Sequence, residues 1–210
     1  MSDKVIVTCA LNGVLTNPQT HPVPYTPEDM AQSARDAHDA GAAIVHIHFR
    51  EQQMGRMPTW EPDLCADIVD AIRDEVPDII INTTTGVVGD DISGPVGVLE
   101  RVKPEMAAMN SGSLNYLKTR SNGDWAWPPM LFDNPVSKIE RYLDVMREHD
   151  ITPECECFDT GIVRSLSMFE QNGMLGRPYT VSFVQGVASG RPAREDLLPI
   201  LVDEAPEDAH

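Results

Sequence analysis

Two histidines separated by one residue are the part of this sequence best suited to chemistry. His46 and His48 lie in the apolar segment Val45-His46-Ile47-His48-Phe49. Because successive side chains of a β-strand point to opposite faces, a strand here would place both imidazoles on one face. Two neutral imidazoles can bind one Zn²⁺ ion, whereas two imidazoles buried without partners would cost free energy. The pattern favours a metal site, and two core histidines satisfied by ordinary neighbours are the alternative.

A second candidate for chemistry is the alternation Glu154-Cys155-Glu156-Cys157. Strands of parallel sheets are usually apolar on both faces, so two carboxylates on one face require a cation, a proton or a hydrogen-bond network. Glu156 lies nearer the end of the strand and is a candidate acid/base group. For Glu154 a structural hydrogen bond is favoured. The sequence has four cysteines, which we expect to be reduced, with Cys155 and Cys157 filling the apolar face.

Weaker signals follow three other predicted strands. Asn12-Gly13, Thr83–Gly86 and Asn110–Ser113 offer hydroxyls, amides and backbone N–H groups that suit a small carboxylate. Turn formation would explain their glycines equally well. Arg50, beside the histidines, could bind an anion or pair with Glu51, and the pair is the commoner arrangement.

The elements that must position these residues repeat as strand, loop and helix about every 30 residues. Strands are predicted at 5–12, 42–49, 78–83, 105–110, 153–158 and 179–186, with a last helix near Leu197 in which Pro199 is a candidate break. Strict alternation predicts a parallel sheet covered by helices. The segment after the first strand, Leu11–Leu15, lacks the glycine-rich phosphate fingerprint of a doubly wound dinucleotide fold.

Polar residues at the carboxyl ends of several strands favour a TIM-type (β/α)₈ barrel over an open sheet. A complete barrel typically needs about 250 residues. The 210 residues therefore predict a single catalytic domain over 1–210 that stops after about six βα units.

Composition excludes several other classes of protein. The formal net charge is −17, with 33 acidic and 16 basic residues, and such a surface repels the phosphate backbone of nucleic acids. No apolar run approaches the roughly 20 residues of a membrane helix, and the first residues lack the layout of a signal peptide. A cytoplasmic protein without nucleic-acid or membrane partners is expected.

Seven segments, taken in order, resemble the β-keto acid cleavage enzymes, the family of 3-keto-5-aminohexanoate cleavage enzyme. They are Thr8–Gly13, Gly41–Arg50, Thr84–Gly86, Pro104–Met106, Asn110–Asn115, Pro153–Glu156 and Phe183–Val187. Each segment alone is unspecific, but their combination from about residue 5 to about residue 200 is highly specific.

The resemblance implies an oligomeric TIM barrel with one Zn²⁺ and with acetyl-CoA as co-substrate. The implied activity is acyl transfer by a reversed Claisen reaction, in which a β-keto acid and acetyl-CoA give acetoacetate and a new CoA thioester. By resemblance, His46 and His48 bind the metal, Thr84 and Gly86 hold the substrate carboxylate, Asn110 contacts the substrate, and Glu156 belongs to the catalytic group. Thr85, Asn12 and Leu15 complete the predicted substrate-binding set.

Two departures from the family bear on these expectations. Relatives that cleave an aminated substrate carry a carboxylate where this chain has Leu15, so we expect a substrate with an uncharged or apolar tail. The family also takes a glutamate metal ligand, a catalytic aspartate and an arginine from a later segment, which nothing after Val187 matches. Weak zinc binding and incomplete activity are therefore expected. A metal-dependent amidohydrolase-like hydrolase and a catalytically incomplete barrel fragment acting as a binding subunit are the alternatives.

Overall fold

The computed structural model describes residues 4–187, 189–207 and 209, so the predicted domain of 1–210 includes positions outside the described residues. The chain divides into two compact units. Unit 1 comprises the chain up to Thr85 together with Ser93–Ala107 and His149–Ile151. Unit 2 comprises Gly86–Ile92, Ala108–Glu148 and the chain from Thr152 onward.

Unit 1 alternates strands and helices as predicted, although its strands are shorter than the sequence suggested. Its elements are β1 (Thr8–Ala10), α1 (Pro27–Asp39), β2 (Ile44–Ile47), α2 (Pro62–Glu75), β3 (Ile80–Thr83), α3 (Ser93–Val102) and the first residues of β4 (Met106–Asn110). Neighbouring strands are parallel, and the register places His46 opposite Ala10 on one side and opposite Asn82 on the other.

Local chemistry fixes where the first helix begins. The Thr26 hydroxyl accepts a hydrogen bond of 3.1 Å from the Asp29 N–H, and Pro27 occupies the first turn, where its missing N–H costs nothing. Glu28 and Asp29 also place negative charge at the positive end of the helix dipole. The predicted cap is confirmed.

The core of unit 1 lies on one face of the sheet. Val45, Ile47 and Phe49 are almost completely buried in a cluster with apolar side chains of α1, α2 and α3. Because side chains alternate along the strand, this packing directs His46 and His48 to the opposite face. The prediction that the second strand has an apolar face and an opposite face with the two histidines is confirmed.

Unit 2 contains the remaining elements, including a hairpin that the sequence analysis did not predict. They are the end of β4, the hairpin strands β5 (Leu114–Tyr116) and β6 (Met130–Phe132), α4 (Val136–Glu148), β7 (Thr152–Cys157), α5 (Thr160–Asn172), β8 (Thr180–Phe183), a 3₁₀ turn (Glu195–Leu197) and α6 (Leu198–Glu204). The expected break at Pro199 is wrong, because Pro199 lies in the first turn of α6, where proline is tolerated.

Strand order decides between the two candidate architectures. The six parallel strands are hydrogen-bonded in the order β1-β2-β3-β4-β7-β8, with the antiparallel hairpin separate. A doubly wound sheet reverses its strand order at a switch point, whereas a barrel adds strands in chain order. The fold is therefore α/β of the TIM-barrel type. No helix among residues 4–187, 189–207 and 209 is long and apolar enough to cross a bilayer.

Candidate active site

His46 in β2 and His48, directly after its end, meet through their outer ring nitrogens. The Nε2 atoms of His46 and His48 lie 3.2 Å apart, and the rings are 5.0 Å apart between centroids at an angle of 70°. The expectation that both imidazoles share one face of the strand is confirmed.

The geometry of this pair fits a divalent metal. Two Zn–N bonds of about 2.0–2.1 Å in a tetrahedral arrangement would place the nitrogens roughly 3.3 Å apart. Burial, which is the largest cause, and the charges of His46 and Arg50 together lower the pKa of His48 to about 3. His48 is thus neutral at physiological pH, which is the form that binds metals. Among the described residues, no group of three or more His, Cys, Asp or Glu side chains is placed to hold an ion, so a metal at this pair would have two protein ligands there.

Asn12, whose role as a substrate contact stays a prediction, forms hydrogen bonds with the backbone around the histidines. Its Oδ1 accepts the His48 N–H at 2.9 Å, and its Nδ2 donates to the His48 carbonyl at 3.0 Å and to the Pro24 carbonyl at 2.9 Å. Nδ2 also lies 3.5 Å from the sulfur of Met30. The amide therefore ties the loop after β1 to the end of β2.

Arg50 neither pairs with Glu51 nor faces an open anion site, so that expectation is wrong. The Arg50 side chain is completely buried, and its Nη1 donates to the carbonyls of Thr16 at 2.8 Å and Gly55 at 2.6 Å. Its Nη2 donates to the carbonyl of Gly13. Glu51 instead accepts backbone N–H groups of its own loop, including that of Arg56 at 2.8 Å. Arg50 thus fastens the loops after β1 and β2 together, and its burial lowers its own pKa.

The end of β3 continues the polar face of unit 1. Thr84 and Thr85 are buried, and the Thr84 N–H donates to the Ile47 carbonyl at 3.1 Å. Since Asn82 pairs in register with His46, Thr84 lies on the same face two positions further along the chain. Gly86 follows directly and belongs to unit 2. Leu15, in the loop after β1, is 80% exposed.

Sequence reasoning missed Asn82, which is almost completely buried beside His46. The signal was present: an amide in the middle of the apolar strand Ile80-Ile81-Asn82-Thr83 is as unusual as a histidine there. A parallel register between the two strands would have placed it opposite His46.

In unit 2, the predicted acid/base residue Glu156 has a pKa close to neutral pH. Burial, which is the largest cause, and the neighbouring charge of Glu154 together raise the pKa of Glu156 to about 7. Cys155 and Cys157 are buried on the opposite face of β7, as predicted, and both are free thiols. Asn110 is buried at the end of β4, and the next residue, Ser111, donates its N–H to the Glu156 carbonyl at 3.0 Å.

The fold is α/β of the TIM-barrel type, and two imidazoles meet at the end of its second strand. Residues 4–210 match the family model of the beta-keto acid cleavage enzyme. The chain belongs to this enzyme family.

Curated relatives agree with that assignment. The chain is 32% identical over 215 residues to the 3-keto-5-aminohexanoate cleavage enzyme of Fusobacterium nucleatum, which covers 99% of this chain and 71% of that protein. It is 28% identical over 204 residues to the 3-oxoadipate:acetyl-CoA acetyltransferase of Cupriavidus necator, covering 96% of this chain and 66% of that protein.

A solved structure supports the fold. The binary complex of ObcA with oxaloacetate matches with a TM-score of 0.61 at 23% identity, covering 79% of this chain and 37% of that one. At this identity the likeness concerns the fold alone. The chain spans little more than a third of ObcA.

Proposed function

We propose that this chain is a zinc-dependent β-keto acid cleavage enzyme that exchanges a β-keto acid and acetyl-CoA for acetoacetate and a CoA thioester. The observation that carries the proposal is the Nε2···Nε2 separation of 3.2 Å between His46 and His48 in a chain of this family. Its relatives' names support the co-substrate, since the protein of Cupriavidus necator is a 3-oxoadipate:acetyl-CoA acetyltransferase and that of Paraburkholderia graminis a 3,5-dioxohexanoate:acetyl-CoA acetone transferase.

The proposed exchange balances without an added oxidant or reductant. A β-keto acid R–CO–CH₂–COO⁻ loses its R–CO group through cleavage of the bond between the keto carbon and the CH₂ carbon. The two-carbon carboxylate fragment forms a new bond to the acetyl carbon of acetyl-CoA, which gives acetoacetate. The CoA thiolate that leaves takes up the R–CO group as R–CO–SCoA.

Separate groups of residues would bind the metal and the substrate carboxylate. His46 and His48 would hold one Zn²⁺, which when bound supplies Lewis-acid polarisation of the keto oxygen. Thr84, Thr85 and Gly86 would bind the substrate carboxylate through hydroxyl and backbone N–H groups.

Glu156 and Asn110 are the two further residues of the proposal, the first as a proton carrier and the second as a substrate contact. A carboxyl group with a pKa of about 7, as Glu156 has, is suited to carry a proton in either direction near neutral pH. We propose it as the acid/base residue, and Asn110, buried at the end of β4, as a substrate contact.

The proposal also concerns the tail of the substrate, which is the R group of the β-keto acid. The relatives' names share a 3-oxo acid and differ in the rest of the molecule, so the family membership leaves the R group open. Leu15 cannot form an ion pair with an ammonium group. We therefore propose a β-keto acid whose tail carries no cationic amine.

The test combines metal analysis with an assay for CoA-thioester formation. The purified chain is stripped with a chelator, reloaded with zinc, and offered acetyl-CoA with an unaminated or an aminated β-keto acid. We expect zinc-dependent release of acetoacetate together with a new CoA thioester, and faster turnover of the unaminated substrate. Hydrolysis without acetyl-CoA would support the hydrolase alternative, and zinc binding without turnover would support the binding subunit; either result would contradict the proposal. Preference for the aminated acid would contradict only the assignment of the tail.

Two other expectations belong to the same proposal. We propose that the enzyme is cytoplasmic and forms a homo-oligomer. Light scattering coupled to size-exclusion chromatography tests the second, because a mass of 23.2 kDa across the peak would show a monomer.

A further inference from the structure

Unit 2 contains a cavity of about 310 Å³ that is lined by none of the residues assigned to the proposed reaction. It is bounded by Asp159 and Thr160 at the start of α5, by the loop residues Ser189, Gly190 and Arg191, and by Leu197 and Ile200 near the end of the chain. Asp159 follows the carboxyl end of β7, and the loop follows β8. The cavity therefore lies where the parallel strands of unit 2 end, the usual location of ligand sites in this type of fold.

Arg191 is the unusual residue in this cavity. Its side chain is 9% exposed, and Nε, Nη1 and Nη2 are all buried without a hydrogen-bond partner among the described residues. A guanidinium does not lose its proton in proteins, and a buried charge without a partner destabilises the folded chain. Such a group is suited to bind an anion.

The backbone holds Arg191 at this position. Its N–H donates to the Phe158 carbonyl at 2.8 Å, and its carbonyl accepts the Gly186 N–H at 2.8 Å. The adjacent Gly190 donates to the Val187 carbonyl at 2.8 Å, and a Cβ at residue 190 would lie 3.1 Å from that same oxygen. The loop is thus closed tightly against the residue that follows β7, which fixes the backbone of Arg191, a residue that lines the cavity.

The start of α5 adds a second attraction for negative charge. This helix has 13 residues, and the first N–H groups of a helix carry partial positive charge without partners in the helix itself. The Asp159 side chain caps one of them, accepting the Ile162 N–H at 2.9 Å. Helix termini of this kind bind phosphate readily.

We propose that this cavity binds an oxyanion of the phosphate class, held by the guanidinium of Arg191 and by the N-terminus of α5. Phosphate suits the planar fork of arginine, which can donate two parallel hydrogen bonds to it. The source is either free phosphate or a phosphate group of a larger nucleotide-like molecule. None of the residues assigned to the proposed reaction lines this cavity.

One charged group opposes the ligand. The Asp159 carboxylate lines the same cavity, so its negative charge weakens anion binding and favours an alternative in which Asp159 rotates to pair with Arg191. If the cavity binds phosphate, Asp159→Asn should bind it more tightly than wild type. If Asp159 pairs with Arg191, Asp159→Asn should make the folded chain less stable. Asparagine is an equally good helix cap, so this substitution removes the charge without removing the cap.

The experiment is calorimetric titration of the whole chain with inorganic phosphate at low ionic strength. We expect wild type to bind phosphate, Arg191→Gln to bind it at least about tenfold more weakly, and Asp159→Asn to bind it more tightly. Arg194→Gln is the matched control, since it removes the same charge three residues away, where Arg194 is exposed and pairs with Asp196. It should bind phosphate as wild type does.

Two results would overturn the proposal. One is the absence of phosphate binding in wild type, together with a less stable Asp159→Asn, as an internal Arg191–Asp159 pair predicts. The other is equal weakening in Arg191→Gln and Arg194→Gln, which would reduce the effect to net charge. If Arg191→Gln does not fold, the phosphate affinity of Asp159→Asn decides. Tighter binding than in wild type supports the proposal, and equal or weaker binding contradicts it. Adenosine 3′,5′-bisphosphate in place of phosphate distinguishes the two sources: tighter binding than phosphate indicates a nucleotide-like ligand, and equal or weaker binding indicates the free ion.

Discussion

The side-chain amide of Asn12 binds the backbone of His48 as a neighbouring strand would. Oδ1 accepts the His48 N–H at 2.9 Å, and Nδ2 donates to the His48 carbonyl at 3.0 Å. The strand β1 ends at Ala10, which pairs with His46, so the side chain of Asn12 extends this pairing by two positions, to His48. The backbone that carries one of the two candidate metal ligands is held from the loop after β1.

We therefore expect Asn12→Asp to weaken metal binding. The carboxylate keeps an acceptor for the His48 N–H but places a negative oxygen against the carbonyls of His48 and Pro24, which releases the His48 backbone. Loss of groups that orient metal ligands typically lowers metal affinity by about 10- to 100-fold. Zinc affinity measured against a competing chelator tests this, and the visible spectrum of bound Co²⁺ reports the change in ligand geometry.

The matched control for that substitution is Asn17→Asp. Asn17 is exposed in the same loop, where its Oδ1 accepts the Gln19 N–H at 3.0 Å. The chemical change is identical, so Asn17→Asp should leave zinc affinity and the Co²⁺ spectrum unaltered. Equal zinc affinities for Asn12→Asp and wild type would show that Asn12 has no positioning role.

The histidine pair itself gives a second prediction. His46→Ala or His48→Ala removes one of two ligands, so we expect zinc affinity to fall by at least about 100-fold in either variant. Zinc content after dialysis measures the loss. His21→Ala, in an exposed loop, is the control and should retain its metal. Retention of zinc by both strand variants would place the metal elsewhere in the protein.

The parts of this site that follow from periodicity could be predicted from the sequence. Alternation along a strand is a local rule, so the separation of Val45 and Ile47 from His46 and His48 follows from residue spacing alone. The same applies to the capping of α1 by Thr26. These features depend only on neighbours within about four residues.

The roles of Asn12 and Arg50 could not be predicted in this way. Arg50 donates to carbonyls of Gly13 and Thr16, more than 30 residues earlier in the chain, and the pairing with Glu51 that sequence proximity favoured does not form. Both side chains satisfy backbone groups of loops, and loop conformation is set by tertiary packing instead of by periodicity. The hairpin of β5 and β6 was missed for a related reason, because strands of three residues carry too little alternation to be recognised.

Arg50 supplies a third prediction, which concerns stability. Arg50→Met leaves the carbonyls of Gly13, Thr16 and Gly55 without a charged donor, while it also removes the cost of burying the cation. The net loss in the free energy of unfolding should be about 2–4 kcal/mol. Urea unfolding measures it. Exposed Arg56, which contacts Gln19, is the control, and Arg56→Met should change stability by no more than about 0.5 kcal/mol.

Arg50→Met has a second expected effect on the site. The charge of Arg50 is one of the causes that lower the pKa of His48, so the pKa of His48 should rise in the variant. Because burial is the largest cause, the rise should be partial and the ring should stay neutral at pH 7. Histidine proton resonances followed by NMR over a pH range measure the shift. An unchanged or lower pKa of His48 would contradict the placement of the guanidinium charge beside the ring.

The raised pKa of Glu156 predicts the direction in which stability changes with pH. Between its ordinary value of 4.5 and about 7, the folded chain holds a proton on Glu156 that the unfolded chain releases. The stabilisation relative to Glu156→Gln is therefore full below pH 4.5 and is lost as the pH rises through about 7. Urea unfolding of both proteins from pH 4 to pH 8 should show this difference declining across the window. Glu154 is the second cause of the shift, so in the Glu154→Gln background the decline should end at a lower pH; a difference that grows with pH would show instead that Glu156 is held ionised.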